Sequence, residues 1–264
     1  LASKRTKVIV PVHYAGIACE MDAINAVAKT TGAKVLEDNA HGLFGAYKGK
    51  PLGSLGAMAT QSFHESKNIT CGEGGALAFN DTSYLARAEI IREKGTNRSA
   101  FFRGEVDKYT WVDVGSSFVI SDLLAAYLTA QLEGAATAQA HRKQAFDRYM
   151  SELAGIAAKH GVKLPTVPAD CQPAYHLFFM QMPTAQHRDA LIKYLRERKI
   201  WSVFHYVPLH LSPEGQKLGG KAGSCPVVES AADRLIRLPF HSTLATDDQT
   251  RVIQVVADYC AANL

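Results

Sequence analysis

Val35-Leu36-Glu37-Asp38-Asn39-Ala40-His41-Gly42 reads as the end of a buried strand with a carboxylate at its tip, followed by a turn. Upstream of it, residues 19–31 carry Met21, Ile24, Val27 and Ala28 at helical spacing and stop at Gly32, a usual helix terminator. Before that helix, Val8-Ile9-Val10-Pro11-Val12 is a short apolar strand. Strand, helix and strand joined by short loops predict a right-handed parallel crossover. Such a unit puts Asp38 at the carboxyl end of its strand, where open α/β sheets bind ligands. Read alone, Asp38 is equally a cap or turn acid, because Asp and Asn favour both.

Downstream, residues 42–56 hold five glycines and a proline, which predicts a loop folded close around a pocket. Strands follow at 57–63 and 76–79. Between them runs Ser62-Phe63-His64-Glu65-Ser66-Lys67-Asn68-Ile69-Thr70-Cys71-Gly72-Glu73-Gly74-Gly75-Ala76-Leu77. A lysine in a turn just past a buried strand can be partly desolvated, which leaves some amine neutral and able to form a Schiff base with an aldehyde. That chemistry belongs to pyridoxal phosphate. Ser62 supplies a hydroxyl for a phosphate, and the Gly72-Glu73-Gly74-Gly75 turn lets backbone approach a ligand. An acid such as Asp38 is what this cofactor needs, because its ring nitrogen must stay protonated for the ring to act as an electron sink. Most lysines beside a turn are simply solvated.

The rest of the chain narrows the class. With 264 residues, 47% of them hydrophobic and 20% charged, it can build one large domain or a large and a small one. A net charge of +4 with interspersed acids and bases points to neither nucleic acid nor a membrane surface. Cys19, Cys71, Cys171, Cys225 and Cys260 are scattered and form no Cys-x-x-Cys pair, which argues against a disulfide framework or structural zinc and for a reducing cytoplasm. No apolar run reaches transmembrane length, and the N-terminus has no signal-peptide organisation. Residues 82–94 predict an amphipathic helix capped by Asp81 or Thr82, residues 95–117 a long polar and aromatic loop, and residues 121–160 a long Ala-rich helical run. Thereafter the pattern is a strand at 176–182, a helix at 185–198, a strand at 201–205, a Gly- and Pro-rich loop and a closing helix at 246–262. The domains expected are therefore 1–120, a linking helix 121–160, and a smaller α+β domain 161–264.

Four stretches in register carry a family resemblance: Val10-Pro11-Val12-His13-Tyr14-Ala15-Gly16, Glu37 to Gly42, Tyr47-Lys48-Gly49-Lys50-Pro51-Leu52-Gly53-Ser54-Leu55-Gly56, and Ser62 to Leu77. Together with Gln131-Leu132-Glu133, His205-Tyr206-Val207-Pro208-Leu209-His210 and Arg237-Leu238-Pro239-Phe240, they make the chain resemble the DegT/DnrJ-type sugar-nucleotide aminotransferases. Residues 93–98, 107–111 and 113–117 are most similar to the branch that makes dTDP-4-amino-4,6-dideoxygalactose in enterobacterial common antigen synthesis, a polysaccharide pathway. The resemblance implies an α/β fold-type-I pyridoxal-phosphate transferase domain followed by a smaller α+β domain, in a homodimer. It also implies that about a hundred family residues, including part of the phosphate cradle, precede the point where this chain begins.

By the same resemblance Lys67 is the cofactor lysine, and Asp38, His41, Ser62 and Ser117 complete the cofactor site. Ser117 stands where many members have an asparagine that reaches the neighbouring subunit's phosphate, and a serine keeps one donor. His13, Tyr14, Arg98, His205, Tyr206 and His210 border the sugar substrate, with Arg98 and Arg103 suited to a diphosphate. Taken without the family, His41 is a turn histidine. The histidines at 13, 205 and 210 are not expected to bind a metal: His205 and His210 lie in a Pro-containing loop and not at helical i, i+4 spacing, and the sequence shows no evident carboxylate partner for them. The implied reaction moves an amino group from L-glutamate to C4 of a dTDP-4-keto-6-deoxy sugar. Two alternatives stay open: a sugar dehydratase of the same fold, whose lysine position holds histidine, and a non-catalytic binding or regulatory remnant.

Overall fold

A computed structural model of the chain, describing residues 2–264, builds the first crossover as the spacing predicts. Strand β1 (Val8–Ile9) pairs in parallel with β2 (Lys34–Asp38), in the register Val8↔Lys34. The opening apolar run pairs over a shorter length than expected, because Pro11 has no N–H to offer the ladder. Beyond it the two chains stay clasped: Asp38 N donates to Pro11 O at 2.9 Å and His13 N donates to Asp38 O at 3.1 Å. Helix α1 (Met21–Thr31) closes at Gly32, whose φ of 75° is left-handed and whose N–H returns to Ala28 O. Its Met21 and Ala28 bury against Val35 of β2, with Tyr47 and Leu52 from the loop beyond.

That Gly-rich loop is more ordered than its composition suggests. It holds a hairpin of β3 (Ala46–Tyr47) and β4 (Lys50–Pro51). Next, β5 (Met58–Ser62) runs parallel to β2 with Asp38 beside Thr60. Strand β6 (Gly75–Phe79) returns antiparallel, with Ser62 beside Gly75, giving the order β1-β2-β5-β6. The carboxyl ends of β2 and β5 therefore share one edge. Asp38 is at the first, and the Lys67 turn leaves the second.

The predicted helix over 82–94 is a 3-10 turn capped by Asp81, whose side chain accepts from Ser83 N, followed by α2 (Leu85–Arg92). The loop expected over 95–117 contains a short helix, α3 (Arg98–Phe102). Its two arms fold back on each other through the bridges Glu93↔Ser117 and Thr96↔Trp111. Helix α4 (Asp122–Glu133) is capped by Ser121, which accepts from Leu124 N. Much later in sequence, β7 (Cys171–Gln172) adds to the hairpin by pairing with β3. These elements, the described residues up to Ala135 with Ala169–Ala174, form one compact unit.

The other unit comprises Ala136–Pro168 and Tyr175–Leu264. The run expected as one helix over 121–160 is two, α4 and then α5 (Ala135–His160), divided at Gly134. In the second unit, β8 (Phe178–Gln181) and β9 (Val203–Phe204) flank β10 (Leu235–Leu238), both antiparallel to it. Helices α6 (Ala185–Glu197), α7 (Pro213–Lys217), α8 (Pro226–Arg234) and α9 (Thr246–Asn263) complete the unit. Its core is formed by Tyr149 and Leu153 of α5, Phe178 and Met180 of β8, Leu191 and Leu195 of α6, Ile236 of β10, and Val256 and Cys260 of α9. Each of these is essentially removed from solvent. No helix among the described residues is long and apolar enough to cross a membrane.

Candidate active site

The site grows from the shared edge of β2 and β5. Asp38 is half-buried at the tip of β2, and its Oδ1 accepts the Ala40 N–H at 3.0 Å, which fixes the carboxylate against its own turn. From the end of β5 the chain enters the turn that carries Lys67. Phe63 is its anchor: Phe63 N donates to Gly74 O at 2.8 Å, while Phe63 O accepts from Cys71 N at 2.9 Å and from Thr70 Oγ1 at 3.1 Å. Phe63, Ile69 and Cys71 are buried together, with Leu124 and Leu128 of α4 against them. Lys67 N donates to His64 O at 3.0 Å, and Asn68 Nδ2 donates to Ala174 O at 2.7 Å. A turn pinned at both ends and in its middle holds its lysine in place.

Burial pushes the Lys67 amine below its usual 10.5, and the nearby Asp38 carboxylate partly holds it up. The amine is thus half-shielded from water and in electrostatic reach of the acid one strand away. Ser62, the last residue of β5, is half-buried, and its Oγ accepts the His64 N–H at 3.4 Å. Glycines let the return arm approach: a Cβ on Gly74 would meet Cys71 Sγ at 2.6 Å, and one on Gly75 would meet Gln61 O at 2.9 Å. A partly desolvated amine, a nearby carboxylate, a hydroxyl and a glycine turn are groups of the kinds that bind and activate pyridoxal phosphate.

Tyr14 and His41 come together, with ring centroids 5.1 Å apart in an edge arrangement and His41 Nδ1 accepting the Ala15 N–H at 3.4 Å. His13 does not join them at the surface. It is fully buried, its Nε2 donates to Glu37 Oε2 at 2.9 Å and its Nδ1 accepts the Cys19 N–H at 3.2 Å. With both ring nitrogens engaged inside the protein, the expected substrate contact by His13 gives way to a supporting role.

Arg98 and Ser117 line one cavity of about 470 Å3 together with Arg92, Lys94 and Tyr109. Arg103 is committed elsewhere, forked onto Glu89 at 2.9 and 3.0 Å and paired with Glu105, so a diphosphate role does not suit it. In the second unit, burial pushes His205 down to about 4, with the Arg237 charge adding to the effect. The Arg237 guanidinium also lies over the Tyr206 ring, 5.6 Å from its centroid. His210 Nε2 donates to Glu229 Oε1 at 2.8 Å, and Glu229 also accepts the Gly223 and Cys225 N–H groups. His210 therefore pins a loop, which accounts for its position without a substrate.

One residue escaped the sequence reading. Glu37, on the buried face of β2, accepts four hydrogen bonds: from His13, from Gly53 N at 2.8 Å, from Leu55 N at 2.7 Å and from Gly56 N at 2.6 Å. Burial raises its pKa, but the bond from His13 and those from the three amides outweigh it, and the net shift is downward. The available signal was the strand's alternation, which puts Glu37 on the same inward face as Val35.

Residues 2–257 match the model of the DegT/DnrJ/EryC1/StrS aminotransferase family. The spore coat polysaccharide biosynthesis protein SpsC of Bacillus subtilis is 32% identical, over 96% of this chain and 67% of its own length. The dTDP-3-amino-3,4,6-trideoxy-alpha-D-glucose transaminase of Streptomyces venezuelae is 31% identical, over 97% of this chain and 64% of its own. The structure of Spr1654 from Streptococcus pneumoniae in its PLP form superposes with a TM-score of 0.88 at 25% identity, covering 99% of this chain and 70% of that one. The chain thus spans about two thirds of the length of these relatives. A family-model match over almost every residue, with relatives 31% and 32% identical along nearly the whole chain, makes this chain a member of the DegT/DnrJ/EryC1/StrS aminotransferase family.

Proposed function

We propose that the protein is a pyridoxal-phosphate-dependent sugar-nucleotide aminotransferase that moves an amino group from L-glutamate to C4 of a dTDP-4-keto-6-deoxy sugar. The observation that carries the reading is the half-shielded Lys67 amine held within reach of Asp38 at the edge shared by β2 and β5. Family membership and the PLP form of Spr1654 support the cofactor. The transaminase from Streptomyces venezuelae supports a dTDP-linked amino sugar as the product class. The finer assignment, the dTDP-4-amino-4,6-dideoxygalactose branch of enterobacterial common antigen synthesis, rests on residues 93–98, 107–111 and 113–117. A homodimer working in the cytoplasm belongs to the same reading.

When bound, the cofactor supplies an aldehyde to receive the amino group and a protonated ring to take up electron density. Lys67 would hold that aldehyde and, when free, would carry the proton taken from the donor's α-carbon; its lowered pKa raises the neutral fraction of the amine, which suits both tasks. Asp38 would keep the ring nitrogen protonated by its negative charge. Ser62 would donate its hydroxyl to the phosphate, and the paired rings of His41 and Tyr14 would border the cofactor. Arg98, Lys94 and Ser117 offer cations and a hydroxyl to an anionic substrate group.

The test is to mix the purified chain with pyridoxal phosphate, reduce with borohydride and map the modified residue by mass spectrometry. A yellow species trapped at Lys67 and bleached by L-glutamate is expected. No adduct, or one spread over surface lysines, would overturn the reading.

A further inference from the structure

The buried Glu37 carboxylate has no part in the proposed chemistry, yet it is the most heavily bonded side chain near the site. It precedes Asp38 directly, and strand alternation sends the two carboxylates to opposite faces of β2, Glu37 inward and Asp38 toward the site edge. Three backbone N–H groups of the 53–56 loop and the His13 ring converge on it. The loop is shaped for this approach: Gly53 has a φ of +91°, and a Cβ on Gly56 would meet Val35 O at 2.8 Å. His13 grips the same strand tip twice, through its ring to Glu37 and through its backbone N–H to Asp38 O. Asn39 N, on the far side, donates to Thr60 O at 3.0 Å.

We propose that Glu37 and His13 are a positioning pair, which locks the tip of β2 to the 53–56 loop so that Asp38 faces the cofactor in one fixed orientation. This rests on the reading of Asp38 given above. A glutamine cannot replace Glu37. Whichever way its amide is turned, its NH2 faces donors: the Leu55 and Gly56 amides on one side, or the Gly53 amide and the His13 N–H on the other. The cost therefore falls on the geometry of the strand tip and not on charge alone.

The experiment compares the full chain with Glu37→Gln, His13→Gln and Asp38→Asn. For each, pyridoxal phosphate affinity is titrated by absorbance, the pH midpoint of the visible band is recorded, and amide exchange is followed over residues 34–42 and 52–57. The expected result for Glu37→Gln is faster exchange in both segments, about tenfold weaker binding and a band midpoint displaced in the same direction as in Asp38→Asn. His13→Gln, which removes one of the four bonds, should move all three readouts the same way by less, and it serves if Glu37→Gln does not fold. Faster exchange with wild-type affinity and band midpoint would assign the pair a purely structural role and overturn the proposal, while leaving the reading of Asp38 intact. An unchanged band in Asp38→Asn would overturn both.

Discussion

The Asp38 carboxylate, at the end of the strand beside the one that leads to Lys67, acts on the Lys67 amine: burial drives the amine's pKa down while Asp38 holds it up. Asp38→Asn keeps an oxygen for the Ala40 N–H and removes only the charge. Without it the ammonium loses its support, and the Lys67 pKa falls further below 10.5. The pH dependence of reductive methylation at Lys67, followed by peptide mass spectrometry without cofactor, should shift to lower pH. An unchanged or upward shift would mean that the two groups do not interact.

Glu37 predicts an acid-sensitive strand tip. Its pKa in the folded protein lies below the ordinary 4.5, so its four bonds stabilise the fold fully above that pH. The contribution is lost as the pH falls through the depressed value. Glu37→Gln should cost about 2–4 kcal/mol at pH 7, and the gap to wild type should close as the pH drops below 4.5. Thermal unfolding of both proteins across pH 3 to 7 checks this, and a gap that stays constant with pH would refute it.

Much of the site edge was legible because its signals are local. The helix stop at Gly32, the apolar run before Asp38 and the glycines after Lys67 each act within a few residues. Glu37 was not legible for the opposite reason. Its four partners lie at positions 13 and 53–56, and only the folded loop shows why a carboxylate sits beside Val35. The pairing of β7 with β3 joins segments far apart in sequence, and two-residue strands leave no periodicity to read. Helices α7 and α8 were hidden in a loop rich in Gly and Pro. Pro213 and Pro226 open those helices, where a missing N–H costs nothing, and Ser212 caps the first. Read as starts and not as breakers, those prolines would have located both.

Two glycines in the 95–117 segment should respond very differently to alanine. Gly95 has a φ of +75°, and its Cβ would fall 1.7 Å from Asp113 O, where Gly95 O also accepts the Val112 and Asp113 N–H groups. Gly104 has the same φ with nothing within 4 Å. Gly104→Ala should cost about 1 kcal/mol of local backbone strain. Gly95→Ala must open the contact between the two arms, and with it the cavity lined by Arg98 and Ser117. Limited proteolysis between residues 95 and 117 should accelerate strongly in Gly95→Ala and little in Gly104→Ala; equal rates would show that the arms are not held by this contact.

The second unit should be sensitive to a single aromatic. Phe178 is fully buried, its ring 4.7 Å from that of Tyr149 and 5.4 Å from that of Phe146, so it joins α5 to β8. Phe178→Ala removes one of the largest fully buried side chains of this core, and about 3–5 kcal/mol of stability should be lost. Phe178→Leu retains most of the volume and should lose about a third of that. Because the two units have separate cores, the loss should fall on residues 136–168 and 175–264. Amide exchange read during urea titration should show β8 and β10 losing protection at lower urea while β2 and β5 keep theirs. A uniform shift of both units would mean that they unfold as one.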